Sequence, residues 1–552
     1  MGIGIHDHRV RGEAAHRLFG VVRTCNKEDG AGGTFIPSKR MRGPRQQFMD
    51  GDGMGGAAGE FSFRTRAANL RAIAAEPVDV LVIGGGIVGA WVALAAARRG
   101  HRTALVEKGD FASGTSGKTS RLIHGGLRYL RQFRLGLVRQ AARERDLLLR
   151  IAPGLVKPLT FVIPVYRKRG PRSWQLRLGL WAYDALSKDR SLPRRRWMSA
   201  DGALGLEPGL GREGLRAAGV YSDAMADDAR LVLAVVRAAH ASAALVANYA
   251  RVTELLREGG TVRGALVEDR ETGESLTVRA TVVVNAAGVW APDLQGEAHR
   301  LRLRPTKGVH ILVPRERLGH RHAIVLFGAD GRLMFAIPWG RFSLLGTTDT
   351  DYRGDRDSVL ADRGDVDYLL EAVNATFPEA RLSHRDVVSS YAGLRPLLDT
   401  GESEESRVSR RHEIVEDPDG LVTVVGGKLT TAREMAAEVL DCIAPRVRKT
   451  VERRTSAAAL RIEDSGAPEP ENVTAEASRA VREEMAMHLD DVFIRRTRVF
   501  YETPDQGMDM APRVANVLAA ELGWDSVRRA AELDRYRGLV EASRRWMEGR
   551  DV

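Results

Sequence analysis

Gly84, Gly86 and Gly89 stand in the spacing G-x-G-x-x-G, and Glu107 comes about twenty residues on. That set can hold a dinucleotide. Gly84 permits a tight turn, Gly86 lets backbone approach a pyrophosphate, and Gly89 lets a helix pack closely on a sheet. The helix start after the turn offers free N–H groups and a positive dipole end to phosphate. A carboxylate at Glu107 accepts the adenosine ribose hydroxyls. The pattern alone does not choose between a nicotinamide and a flavin dinucleotide, and a glycine-rich packing turn is the plain alternative. His124 and His310 are candidate proton acceptors, because an unperturbed imidazole titrates near neutral pH. A lone histidine is more often a satisfied core group. Lys428 comes after two glycines at a helix start, where a cation opposes the helix dipole and is an unusual structural choice. Arg395, before Pro396, suits an anion through its planar fork, or is a surface cation paired with an acid.

These residues need elements to position them. The strand DVLVI (79–83) feeds the glycines, a helix runs to Arg98-Arg99 and stops at Gly100, and TALVE ends on Glu107. Residues 79–107 therefore predict β-α-β. Val80 to Ala97 is uncharged for 18 residues, the lower limit for a membrane span, but four glycines and a β-branched first half make it strand, turn and helix. An amphipathic run from Met54 leads into the first strand. Leucines at helical spacing predict a helix over 135–151, and 158–167 reads as a strand. Residues 305–350 are β-rich. Helices are predicted at 363–377 and 430–443, with a buried strand over 420–426. The Asp227-Asp228 pair reads as an N-cap ahead of helix 229–240. Residues 474–548 are strongly helical, after an acidic, Pro-rich stretch at 463–473.

The bulk numbers agree with a multidomain globular chain. It has 552 residues, 43% hydrophobic and 28% charged, enough for two or three cores. Cys25 and Cys442 cannot make a disulfide framework or a cysteine-based metal site, and they fit a reducing compartment. The net charge of +12 favours anionic partners, or reflects an arginine-rich composition. Neither a helix-turn-helix nor an aromatic-and-basic module is found, so no nucleic acid is expected. The first ten residues lack a secretory apolar region.

The segment just past Glu107 separates the two dinucleotides. Residues 108–130 read KGDFASGTSGKTSRLIHGGLRYL, where a nicotinamide domain would start another β-α unit. The segment resembles the FAD-dependent glycerol-3-phosphate dehydrogenases of the D-amino-acid-oxidase-like flavoenzyme superfamily. Further segments match in family order: Asp227-Asp228-Ala229-Arg230-Leu231, Val284 to Trp290 (VNAAGVW), Lys307-Gly308-Val309-His310, Gly346-Thr347-Thr348-Asp349, Tyr391 to Pro396 (YAGLRP) and Gly426 to Thr431 (GGKLTT). Asp491 to Arg498 looks like the family's C-terminal helical domain. The stretch 446–473 is shorter than usual and lacks the customary Pro-Gly-Gly, and residues 1–53 have no family counterpart.

The resemblance implies an α/β fold: a Rossmann-like FAD-binding domain, an α+β substrate (cap) domain and a C-terminal helical domain. After a disordered or dispensable extension (1–53), the FAD domain takes 54–150, 226–300 and 386–445, and the cap takes 151–225 and 301–385. A linker (446–473) and the helical domain (474–552) complete the chain. The resemblance places Gly84, Gly86, Gly89, Glu107, Thr119, Ser120, Leu122, His124, Gly125, Gly126, Ala287, Gly288, Thr348, Asp349, Gly427, Lys428, Leu429 and Thr430 about FAD. Arg395 and Lys428 then meet a substrate phosphate, Arg128 and Tyr129 lie near the flavin ring, and His124 or His310 is the base. The implied reaction is oxidation of glycerol 3-phosphate to dihydroxyacetone phosphate, with electrons passing to a quinone. A related oxidase using oxygen, on glycerol 3-phosphate or on an amino or hydroxy acid, is the rival. Residues 164–197 hold ten Lys or Arg against Asp184 and Asp189, interleaved with Trp174, Leu178, Trp181 and Tyr183. This suits an anionic membrane surface, at the inner face of the cytoplasmic membrane, or else a solvated basic face around a core helix. A homodimer is compatible with all of this.

Overall fold

The computed structural model describes residues 23–24, 60–127, 135–167, 170–187, 192–296, 301–399, 412–447, 460–464 and 472–548. Two sheets organise them. The first runs in the order Arg23–Thr24, Glu413–Glu416, Val422–Val425, Ser275–Asn285, Val78–Ile83, Thr103–Val106, Leu245–Ala247. Its five strands from Val422–Val425 to Leu245–Ala247 are parallel. Val78–Ile83 is buried at every position but Asp79, as a parallel strand covered on both faces must be. Helix Ile87–Arg98 is nearly all apolar, and it packs between helices Asp228–Ala241 and Ala432–Ile443. It ends at Arg98, with Gly100 left-handed at φ 84°. The strand–turn–helix reading of Val80–Ala97 is what forms. Among the described residues no helix is long and apolar enough to cross a membrane.

The second sheet runs Thr350–Asp351, Thr306–Pro314, Phe342–Gly346, Leu333–Trp339, Ala323–Phe327, Val156–Tyr166, Leu215–Ala226, Leu122–Ile123. Ser389–Arg395 pairs with the free side of Thr306–Pro314 and sets His310 opposite Tyr391 and Thr306 opposite Arg395. The segment 386–445 is thus shared, with one strand in the second sheet and two in the first. Leu122–Ile123, just ahead of His124, also belongs to the second sheet. The chain therefore passes between the sheets just before His124 and again after Arg395, and the candidate site lies at the junction.

The C-terminal helices Val473–Glu484, Ala511–Leu522 and Ser526–Arg544 share one apolar core with the second sheet. Buried ion pairs join them to the first. Arg230 bonds Glu484 at 2.7 and 2.8 Å and Asp464 at 2.5 Å. His488 lies 2.9 Å from Glu532 and 3.0 Å from Glu271. Burial opposes a charge on His488, but these two carboxylates, with Asp491 near, hold its pKa up at about 10 against 6.5. A raised folded-state pKa gives stability that is complete below pH 6.5 and lost as pH rises through 10. The thermal midpoint should therefore fall across that window, and His488→Gln should flatten the fall. An unchanged slope in the variant would show that this pairing does not carry the effect.

Candidate active site

The glycine turn is closed to any side chain. A Cβ on Gly84 would lie 2.6 Å from Ala286 O, and one on Gly89 only 1.9 Å from Gly84 O. Gly84 also holds φ 112°, which a side chain would strain. A Cβ on Gly86 would stand 3.0 Å from Ser116 Oγ, which accepts the first helical amide, Ile87 N, at 3.0 Å. Glu107 accepts from Gly85 N at 2.6 Å and from Gly109 N at 2.9 Å, and burial pushes its carboxyl up. Strand Ser275–Asn285 delivers Ala287 and Gly288 beside this turn, with Ala287 N donating to Asn285 Oδ1 at 3.2 Å. A cradle that a Cβ would fill, a helix N-terminus and a carboxylate are the features an FAD pyrophosphate and ribose need.

The loop after Glu107 is tied to three distant segments. Thr119 donates through N and Oγ1 to Asp228 Oδ2 at 2.9 and 2.8 Å, and its carbonyl accepts from Tyr391 Oη at 2.7 Å. Asp227 meanwhile caps the helix by accepting from Arg230 N. Leu122 pairs with Met225. His124 N donates to Thr430 Oγ1 at 3.2 Å, which joins the LIHGGL and GGKLTT segments. Gly125 N donates to Asp223 Oδ1 at 3.2 Å, and a Cβ there would strike Tyr183 Oη at 2.4 Å. Gly126 is left-handed at φ 78°. Asp223 also accepts from Tyr183 and Arg145. Burial raises its carboxyl despite Arg145. Gly427 sits over Met435, Lys428 is the N-cap of the turn Leu429–Thr431, and Leu429 packs on the first core.

His310 is 2% exposed, stacked on Tyr391 at 4.9 Å, with Nε2 2.8 Å from Ser120 Oγ. Its Nδ1 has no hydrogen-bond partner among the described residues. Burial, then Arg395 and Arg121, bring its pKa down to about 3. Arg395 Nη1 donates to Asp349 Oδ1 at 2.8 Å and Nη2 to Thr347 Oγ1 at 3.0 Å. Arg395 is thus paired with an acid, and that acid is the last residue of GTTD. Thr348 accepts from Val309 N at 3.0 Å. Thr348 and Asp349, expected at FAD, are engaged with the His310 strand and with Arg395.

The structure brings His124, Ser120, His310, Arg395 and the Lys428 turn to one junction, while Gly84, Gly86, Gly89 and Glu107 form the nucleotide end. Arg128 and Tyr129 lie outside the described residues. Sequence reasoning passed over Ser116, although its hydroxyl-rich loop was visible, and the Asp223–Tyr183–Arg145 support of Gly125. It also passed over Lys118, against whose Cβ a Cβ on Gly393 would press at 2.8 Å. Burial, then Arg495, lower Lys118 to about 8.

Comparison with known proteins bears on this geometry. A family profile described as FAD dependent oxidoreductase matches residues 79–441. A second, the C-terminal domain of alpha-glycerophosphate oxidase, matches 454–529. The chain is 39% identical to glycerol-3-phosphate dehydrogenase 2 of Mycobacterium tuberculosis, over 90% of this chain and 93% of that one. It is 37% identical to the aerobic glycerol-3-phosphate dehydrogenase of Staphylococcus haemolyticus, over 68% of each. Among solved structures, the glycerol-3-phosphate dehydrogenase of Bacillus halodurans complexed with FAD superposes with a TM-score of 0.70. It is 28% identical and covers 87% of this chain and 98% of that one.

Proposed function

Since the chain belongs to the FAD-dependent glycerol-3-phosphate dehydrogenase family, we propose that it oxidises glycerol 3-phosphate to dihydroxyacetone phosphate and passes the electrons to a quinone at an anionic membrane surface. The observation that carries the substrate reading is the set of bonds around the loop of His124. It reaches the Lys428 turn through Thr430, the His310 strand through Ser120, and the Arg395 strand through Thr119 and Tyr391. On this reading Lys428 and Arg395 are the two cations that meet a dianionic head.

Bound FAD supplies the two-electron acceptor for the hydride on C2. The chain's own residues do the rest. Arg395, its guanidinium plane fixed by Asp349, Thr347 and the Thr348 carbonyl, meets the phosphate by charge, and Lys428 adds a second cation. A proton acceptor must come within hydrogen-bond reach of the C2 hydroxyl. Burial separates the two imidazoles on that criterion. His310 lies inside the sheet with Nε2 on Ser120, whereas His124 is half-buried at the junction. His124 takes the proton, and His310 stays neutral and orients the Ser120 hydroxyl. Turnover of glycerol 3-phosphate should proceed with a quinone analogue. Electron delivery to oxygen with stoichiometric peroxide, and none to the quinone analogue, would replace the quinone reading with the oxidase.

The membrane reading rests on helix Ser173–Leu186. Leu176, Leu180 and Tyr183 face the core. Trp174, Leu178 and Trp181 form an outward stripe at 61%, 58% and 56% exposure. Arg177 and, on the neighbouring segment, Arg194 and Arg196 are exposed, while Arg195 pairs with Asp184 at 2.9 Å. Aromatic anchors beside cations suit the inner face of the cytoplasmic membrane, at about 1 kcal/mol per cation. Vesicles containing anionic lipid should float the protein. Reversal of Arg194 and Arg196 to Glu should weaken flotation on the order of tenfold or more. Equal flotation on neutral vesicles would refute the electrostatic part.

A further inference from the structure

The proposed reaction gives no role to Asp110, a carboxylate 1% exposed and three residues after Glu107. Four donors fill its two oxygens. Arg496 Nη2 and Asn248 Nδ2 reach Oδ1 at 2.9 and 3.1 Å. Arg495 Nε and Arg496 Nη1 reach Oδ2 at 2.5 and 2.6 Å. No lone pair is left for a cofactor, so the group acts on its own loop.

That loop carries both ends of the nucleotide cradle. Glu107 lies at its start, and Ser116, bonded to the first amide of helix Ile87–Arg98, lies near its end. Phe111, directly after Asp110, packs against the glycine turn, where a Cβ on Gly85 would meet its ring at 2.7 Å. Gly109, directly before, gives its carbonyl to Tyr249 N at 2.8 Å. Tyr249 Oη in turn donates to Asp491 at 2.6 Å. Asp491 begins the short helical turn Asp491–Arg496 that carries both arginines. Arg495 is itself held by Asp490 and Asp491 at 2.6 and 2.5 Å, and Arg496 by Glu484 O at 2.8 Å.

We propose that Arg495 and Arg496 clamp Asp110, so that the C-terminal helical domain holds the FAD-wrapping loop in its binding shape. Asp110, Arg495 and Arg496 are positioning residues for the cofactor. A buried charge cluster of this kind tolerates little displacement, because each group that leaves strands an opposite charge away from water. The guanidinium forks add direction to that constraint. The loop therefore cannot swing away from the glycine turn unless the C-terminal turn moves with it. Linkage makes the coupling reciprocal: bound FAD must tighten the seating of Asp491–Arg496 by the same factor.

The test is FAD release from holoenzyme, tracked by flavin fluorescence after dilution, with substrate KM measured at saturating FAD. Asp110→Asn and Arg496→Lys should each speed release on the order of tenfold to a hundredfold, the range for supporting groups around a bound cofactor. Activity should return when FAD is added in excess, and KM should stay near the native value. The conservative lysine keeps a charge and should show the smaller effect. Glu521→Gln, which loosens the same domain where Ser478 and Arg482 bond Glu521, away from Asp110, should leave release unchanged. Native release rates in both clamp variants would overturn the proposal, as would an equal acceleration in Glu521→Gln. Hydrogen exchange on the native chain gives a reading that needs no variant. FAD should slow exchange at residues 485–497, and identical exchange with and without FAD would overturn the clamp.

Discussion

Replacing His124 by Asn is expected to lower kcat for glycerol 3-phosphate by roughly two to four orders of magnitude, the span of general acid–base contributions. Flavin content should stay near native, because the bond from this loop to Thr430 uses the His124 backbone N–H and survives the exchange. The pH profile carries the sharper information. A base must be neutral to act, so activity rises with pH through its pKa. His310 is held at about 3 by burial and by Arg395 and Arg121. It therefore contributes no limb to kcat/KM between about pH 5 and 8. Any acid limb near neutrality should persist in His310→Asn and vanish in His124→Asn. The reverse pattern would make His310 the base.

Arg395→Ala should cost on the order of tenfold to several hundredfold in kcat/KM, from about 1.5–3 kcal/mol for a hydrogen bond to a charged group, or more if the phosphate is left unpaired. On the proposed reading the result falls at the upper end. Asp349 is 14% exposed at its side chain and loses the Arg395 bond of 2.8 Å, so on that reading its carboxylate opposes the incoming phosphate. Arg395→Lys should rescue in part, since a point charge cannot replace a fork shared between Asp349, Thr347 and an anion. Arg395→Ala/Asp349→Asn should recover more than Arg395→Ala if repulsion is part of the loss. Glycerol is the control. The native protein should strongly prefer the phosphate ester, and Arg395→Ala should lose most of that preference. Normal discrimination in Arg395→Ala and Lys428→Ala would remove the phosphate clamp and favour the amino- or hydroxy-acid reading.

Local signals in the sequence carried far. The β-α-β unit is readable because turn, helix stop and terminal acid are set within thirty or so residues by sterics and dipoles. Helix Ser173–Leu186 is readable in composition, but which of its faces meets solvent is decided by Leu176 and Leu180 packing on the second sheet. Strand partners were less legible. Tyr391–Arg395 is legible only as part of a family-like segment, and nothing in it says that it joins Thr306–Pro314 rather than the first sheet, because that choice is made by register over long range. The same holds for the two imidazoles, which look alike in sequence and differ only once strands close over His310. Asp110 and Arg495 stand 385 positions apart, and no periodicity or motif links charges at that distance.

The interleaved strand order also has a consequence in time. In the first sheet, Val78–Ile83 has Thr103–Val106 on one side and Ser275–Asn285 on the other, and Val422–Val425 lies beyond. A ribosome adding about 5–20 residues per second makes the last of these roughly half a minute after the first. Until residue 285 is made, the nascent glycine turn has a helix but only one flank of its sheet, and after that the open edge is that of Ser275–Asn285, which waits for Val422–Val425. A complete grip on FAD should await the last quarter of the chain. Chains stalled before Val422 should remain colourless, bind holding chaperones through the Ser275–Asn285 edge, and gain flavin only when synthesis resumes.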